Sequence, residues 1–179
     1  MTEMTDYLTE RAEAVVSVDE FVESCIDVPK FLSCCKECKN FGRRWSCPPF
    51  DFDPMDLWQK YGTLHLYTLI LRPLDRDGTK LVEALWKEKA DFNRELLELE
   101  LRHPGSMALA GGSCSLCDVC AREEGKNCRY PGKQRYSIEA LGGDVGKVCE
   151  KYFQKPVLWV KDGAAPDYLM WVGGLLLSE

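Results

Sequence analysis

Ten cysteines in 179 residues constrain this chain more than any other feature, because they are not spread along it. One group is Cys34-Cys35-x2-Cys38-x8-Cys47, preceded by an isolated Cys25. The other is Cys114-x2-Cys117-x2-Cys120-x7-Cys128, followed by Cys149. No cysteine falls between Cys47 and Cys114, the stretch with the most regular hydrophobic periodicity. Thiols that served only as small core residues would not avoid that stretch. Secreted chains of this cysteine content are held by disulfides, but Met1–Thr9 has no basic start and no apolar segment follows. A cytoplasmic chain with clustered cysteines is expected to bind metal.

Composition narrows the partners. With 45% hydrophobic and 29% charged residues the chain can bury a core of its own, so metal need not be its sole source of stability. A net charge of −6 argues against a nucleic-acid partner. The longest apolar stretch, Tyr168–Leu177, falls short of the roughly 18–20 residues that span a bilayer, so no membrane insertion is expected. Charge is also segregated. Residues 1–30 are strongly acidic, whereas residues 34–50 carry Lys36, Lys39, Arg43 and Arg44 against Glu37 alone. Residues 114–135 are basic as well, through Arg122, Lys126, Arg129, Lys133 and Arg135. Cations near thiols lower their pKa and offset an anionic metal group. The competing reading is that loops are simply polar.

The pattern of elements predicts an α/β (α+β) fold: a single mixed sheet with flanking helices, one domain over 1–179, and cysteine loops at 34–50 and 114–131. Ala14–Val18 reads as a strand and Asp19 as the cap of a helix through Cys25. Asp53-Pro54 starts a short helix to Tyr61, and Leu64–Leu71 suits a buried strand. Thr79–Leu101 is the clearest helix, with Val82, Leu85, Phe92, Leu96 and Leu99 at helical spacing. Met107–Ala110 leads into the second cysteine loop. Ser137 caps Ile138–Leu141, Gly142-Gly143 stops it, and Asp144 starts a helix through Tyr152. Pro156–Val160 and Tyr168–Leu177 read as closing strands, the second kinked or bulged at Gly173-Gly174.

Spacing suggests what the thiols chelate. Two residues between ligands let a tight turn aim successive sulfurs at one centre, and three such sulfurs in seven residues can wrap an iron–sulfur cube. Structural zinc more often takes Cys-x2-Cys from each of two separated segments. The spacing of Cys114, Cys117 and Cys120 therefore favours iron–sulfur over zinc. Cys35-x2-Cys38 alone could be a zinc knuckle, a redox dithiol or a ligand pair. Cys47 adds a third sulfur, held by the two prolines that follow it. Trp45 and Phe50 flank Cys47 and either exclude water from the site or pack in the core. With Cys128, seven cysteines are well placed: Cys35, Cys38, Cys47, Cys114, Cys117, Cys120 and Cys128. Two four-iron cubes need an eighth ligand, for which Cys34, Cys149 and Cys25 are the candidates. Adjacent Cys34 and Cys35 tend to point apart, and a crossed arrangement between loops stays open.

Two stretches carry a family resemblance. They are Cys35-Lys-Glu-Cys38-Lys-Asn-Phe-Gly-Arg-Arg-Trp45-Ser-Cys47-Pro-Pro-Phe50 and Cys114-Ser-Leu-Cys117-Asp-Val-Cys120, the latter continuing through Cys128-Arg-Tyr-Pro131 to Ser137-Ile-Glu-Ala-Leu-Gly-Gly-Asp144-Val145. The chain resembles the predicted metal-binding protein family, a domain of unknown function (2284) of anaerobic bacteria and archaea. The resemblance implies iron–sulfur or other metal binding by the seven cysteines and supplies no reaction. Ser137, Glu139 and Asp144 belong to the matching stretch; they read as two helix caps and a first-turn acid, or else as groups that touch cluster sulfurs or a partner.

Enzyme signatures are thin: the chain has no Walker loop, dinucleotide-binding glycine fingerprint, nucleophile elbow or radical-type Cys-x3-Cys-x2-Cys. His65 and His103 read as structural. The expectation is a cytoplasmic protein with one or two [4Fe-4S] clusters that exchanges electrons with a protein partner, a redox enzyme or complex. The alternatives are an accessory or maturation subunit with structural clusters, a zinc-binding module, and an enzyme with an open iron.

Overall fold

The computed structural model describes residues 6–178. Its frame is a four-stranded sheet of β1 (Tyr7–Ser17), β2 (Thr63–Pro73), β3 (Met107–Leu109) and β4 (Leu169–Leu177), in the order β1-β2-β4-β3. Five helices flank it: α1 (Val18–Cys25), α2 (Val28–Lys36), α3 (Pro54–Trp58), α4 (Gly78–Arg102) and α5 (Val145–Phe153). This is the expected α+β class, but every strand pair is antiparallel, so the sheet is not mixed.

The central strand β2 is apolar on both sides because both sides are covered. Successive side chains of a strand point to opposite faces. Leu64 and Leu66 enter a core with Val18, Phe21, Trp58, Ile138, Leu141 and Val148, whereas Leu69 and Leu71 enter a second core with Leu81, Leu85, Phe92 and Leu96 of α4. Both pairs are fully buried. Each such leucine is worth about 1.5–3 kcal/mol of burial. Thus α4 covers one face of the sheet, and α1, α3 and α5 cover the other.

Several boundaries differ from the sequence reading for identifiable reasons. β1 runs back to Tyr7, since its polar Thr-Glu-Arg segment is an edge strand that pairs by backbone with β2 from Tyr7↔Pro73 to Ser17↔Thr63. The cap of α1 is Ser17, whose hydroxyl accepts from the Glu20 amide at 3.2 Å, and not Asp19. α2 was not expected. Asp27 caps it by accepting from the Lys30 amide at 3.1 Å, and Pro29 occupies its first turn. Pro156–Val160 is not a strand; it crosses as irregular chain. β4 is continuous through Gly173-Gly174. The glycine at 173 answers to a close approach: a Cβ there would stand 2.5 Å from Leu96 Cδ1 and 2.6 Å from the Leu109 carbonyl oxygen.

Other expectations match. Asp53 accepts from the Met55 amide at the start of α3, and Asp144 accepts from the Lys147 amide at the start of α5. Ser137 accepts from the Ala140 amide, and Gly142 ends the Glu139–Leu141 3-10 turn at φ 90°. No helix among the described residues is long and apolar enough to cross a membrane.

Candidate metal centre

The first cysteine loop leaves from a helix. Cys34 and Cys35 lie in the last turn of α2, with Cys34 exposed and Cys35 partly buried, so the neighbours do point apart. The chain then turns: the Cys38 amide donates to the Cys35 carbonyl at 3.0 Å, and the Cys47 amide to the Arg44 carbonyl at 3.0 Å. The second loop leaves the sheet at β3 and is pinched at its neck, where the Ala110 amide donates to the Tyr136 carbonyl at 2.8 Å.

The two loops are sewn together. Ser46 is fully buried, and its hydroxyl accepts from the Cys114 amide at 3.0 Å while lying 3.8 Å from the Cys47 sulfur. Arg44 donates to the Cys114 carbonyl at 2.8 Å. Arg122 reaches back to the carbonyls of Arg44, Cys47 and Pro49 at 2.9, 2.7 and 2.6 Å. Trp45 donates to the Lys126 carbonyl at 3.0 Å, with the Arg122 guanidinium 4.9 Å over its ring. Trp45 is therefore a bridge to the other loop and not a core residue. Phe50 stacks on Phe52 at 4.9 Å and meets Tyr136 edge-on.

The thiols gather in two neighbourhoods. Cys114, Cys117, Cys120 and Cys128 line one cavity, together with Trp45 and Arg129. Cys35 lies within electrostatic reach of Cys47, Cys38 and Cys34. Each of these neighbourhoods draws its thiols from one loop, and Ser46 joins them between the Cys47 sulfur and the Cys114 amide. Cys25 and Cys149 sit elsewhere, buried in the apolar core beside Phe21 and Trp58.

At Cys35, Cys47 and Cys114 the basic residues do not depress the thiol as expected. Burial pushes the Cys35 thiol up to about 11, and the charges of Cys47 and Cys38 push it the same way. Cys47 and Cys114 are raised by burial too, and at Cys47 the opposing pull of Arg44 and Arg122 is weaker than burial. Desolvation and sulfur–sulfur repulsion outweigh the cations here. The cations act on sulfur locally instead. The Arg129 guanidinium lies within electrostatic reach of Cys117 and Cys120 while donating to the Val119 carbonyl at 2.7 Å, and the Tyr130 amide donates to the Cys128 sulfur at 3.4 Å.

Two charged residues stand behind the loops, and one of them, Lys89, has no role in the sequence reading. Lys89 is buried on the apolar stripe of α4 between Leu85 and Phe92, 4.8 Å from the Trp86 ring and 5.2 Å from that of Trp171. Burial lowers its pKa, while the charges of Cys114, Glu139 and Cys47 act to raise it. A lysine at a core position of an amphipathic helix was the signal that could have found it. Glu139 reads in the sequence as a first-turn acid, or else as a group that touches cluster sulfurs or a partner. Its carboxyl is raised by burial, and its Oε2 is shielded from solvent with no hydrogen-bond partner.

Among the described residues, no group of three or more His, Cys, Asp or Glu side chains is drawn together tightly enough to hold a metal ion as it stands. The donor set nonetheless fits a thiophilic group: four thiols around one cavity, an amide donor to sulfur, and the Arg129 guanidinium lining the same cavity. Binding would require each loop to close on what it holds.

Fold and site together define an α+β protein that carries two adjacent four-cysteine loops on the rim of one antiparallel sheet. The chain belongs to the family of predicted metal-binding proteins DUF2284, whose match spans residues 23–177 and so takes in both loops. No curated protein and no solved structure matches the chain.

Proposed function

We propose that this protein is an iron–sulfur carrier with one or two [4Fe-4S] clusters that exchanges single electrons with a protein partner. The observation that carries the reading is the cavity lined by Cys114, Cys117, Cys120 and Cys128, reached by a Cys-x2-Cys-x2-Cys turn. A four-iron cluster, when bound, takes up and returns one electron. Cys35, Cys38 and Cys47 would hold the second such group.

The chain's own residues supply the surroundings. The Tyr130 amide donates to the Cys128 sulfur and the Arg129 guanidinium stands within electrostatic reach of Cys117, which eases negative charge on the thiolates. Lys89, Arg44 and Arg122 stand behind as compensating cations, and Trp45 walls the cavity against water. Leu116, Val119 and Tyr130 are 45, 52 and 48% exposed on the second loop, an apolar rim that a protein partner would cover.

Anaerobic purification with iron and sulfide analysis tests the reading. The expected material is brown, holds up to about eight irons per chain, and gives a reversible paramagnetic signal on reduction. Colourless protein with stoichiometric zinc, or iron that no reductant or oxidant changes, would refute it.

A further inference from the structure

The sheet has one long open edge. β1 is its outer strand, 11 residues long, and it pairs with β2 without a break from Tyr7↔Pro73 to Ser17↔Thr63. The bonds at its middle and ends show which way its backbone faces. The Ala12 amide donates to the Thr68 hydroxyl at 3.0 Å. The Asp6 carbonyl accepts from the Leu74 amide at 2.9 Å, and the Val18 amide donates to the Gly62 carbonyl at 2.9 Å. These even-numbered residues all turn toward β2. Backbone groups alternate in direction along a strand, so Tyr7, Thr9, Arg11, Glu13 and Val15 turn their amides and carbonyls away from it. Among the described residues no strand pairs with that side. Open edges are commonly closed to addition by proline, lysine or a bulge, and β1 has none of these.

The charges along this edge select one partner, a second copy of the same strand. Two copies of β1 laid antiparallel about a two-fold axis at Ala12 set Arg11 opposite Glu13 of the second copy, and Glu13 opposite its Arg11. Thr9 then faces Val15. Each of these pairs joins two outward-turned residues, so each can exchange both of its backbone hydrogen bonds. Moving the axis to Arg11 or to Glu13 keeps the backbone bonds but opposes Arg11 to Arg11, or Glu13 to Glu13. Directly opposed Cβ atoms lie about 4.5–5.5 Å apart, where unlike charges attract and like charges repel. Arg11 and Glu13 are both exposed; Arg11 has an ion pair with Glu95 at 3.0 Å, and among the described residues Glu13 has none. The surroundings leave room. α4 packs over β2, β4 and β3, and β1 reaches it through the side chains of Tyr7 and Arg11. Leu8 and Val15 are exposed apolar residues on the strand, and a second copy would cover them.

We infer that β1 is a self-association edge: two copies of the chain join β1 to β1 about an axis at Ala12, forming one continuous antiparallel sheet. The contact uses the same surface on both copies, so it closes at two. β3, from which the second cysteine loop leaves, is the opposite edge of each sheet. The dimer therefore carries its second cysteine loops at its two far ends, where each stays open to a partner. The inference does not depend on which metal the thiols hold.

The test follows the full chain by sedimentation equilibrium over a concentration series, with amide hydrogen exchange at both ends of the series and circular dichroism as the check on folding. Wild type should approach twice the chain mass as concentration rises. In the dimer the amides of Thr9, Arg11, Glu13 and Val15 should gain protection. R11E opposes acid to acid and E13R opposes base to base, so each should raise the dimer dissociation constant roughly tenfold or more. The double variant R11E/E13R restores unlike pairs with the signs exchanged, and should return to within about threefold of wild type. T9P removes an outward amide that the chain's own sheet does not use, so it should be monomeric with the wild-type dichroism. Should a single charge variant fail to fold, the double variant and T9P carry the decision. Wild type that stays monomeric up to about 1 mM overturns the inference, whatever else binds that edge. So does a dimer that R11E and E13R leave intact, or one that the double variant does not restore, since the contact would then lie on another face or in another register.

Discussion

Removing the Arg122 side chain should open the seam between the two cysteine loops. Arg122 donates to three carbonyls of the first loop, those of Arg44, Cys47 and Pro49, at 2.9, 2.7 and 2.6 Å. Hydrogen bonds from a charged donor are worth about 1.5–3 kcal/mol each, and the lower end or less applies because the site is half-open and water can replace part of the loss. Taking about 1 kcal/mol each gives about 3 kcal/mol, and the guanidinium over Trp45 adds about 0.5 kcal/mol. At 1.4 kcal/mol per tenfold, Arg122→Ala should raise local opening of the loops by a few hundredfold. Hydrogen exchange reads this directly, because the Gly42 amide donates to the Pro48 carbonyl and the Cys47 amide to the Arg44 carbonyl inside the clamped loop. Both amides should lose protection, as should the Cys114 amide that donates to Ser46. Arg122→Lys keeps the charge but offers one compact donor group, so it should fall between. Exchange in both loops within threefold of wild type would refute the reasoning, since the three bonds would then hold nothing that water cannot hold equally well.

Cys117→Ser should remove about half of the bound iron and leave the first loop's share, read by metal analysis; an unchanged content takes Cys117 out of the ligand set. Gly173→Ala should destabilise the protein by about 2–3 kcal/mol, because the Leu109 carbonyl at 2.6 Å cannot yield as a side chain would; a denaturant midpoint equal to wild type would refute the close approach. Asp144→Ala should cost about 1 kcal/mol through the lost cap of α5, with little from the Lys30 ion pair at the surface, and Asp144→Asn should recover most of it in thermal melts. The Cys149 thiol is pushed up to about 12 by burial and then by the charges of Glu139 and Glu150. The unfolded chain gives up that proton near 9.0 while the folded chain keeps it. The stability of metal-free protein should therefore be full below about pH 9 and fall as pH rises through 9 to 12. Cys149→Ala should flatten the part of that slope due to this thiol, and an identical slope in both proteins would count against the burial argument.

Elements whose signal is local could be read from the residues. The stripe of α4, the apolar run of β2 and the caps at Asp53, Ser137 and Asp144 all follow from spacing and side-chain chemistry within a few residues. β1 is longer than its local pattern because the support of its polar half is not local, whereas α2 does carry a local start, the Asp27 cap and Pro29, and lacks only a full apolar stripe. The polar half of β1 is a strand through its register with β2, and α2 takes its place by packing on the Glu139–Leu141 turn more than a hundred residues away. Gly173-Gly174 looked like a kink for the same reason: the chain that crowds residue 173 comes from Leu96 and Leu109.

By itself, the sequence determined that this protein gathers thiols in two places, with spacings that suit a multi-atom metal group, on a chain able to form its own core. Only the tertiary structure decided which thiols are neighbours, which are core, and what stands behind them. The physical reason is range. Chelating spacing is a property of a tight turn, whereas the burial of Glu139 and Lys89, the clamp of Arg122, and the rise of the Cys35 thiol to about 11 depend on desolvation by elements distant in sequence.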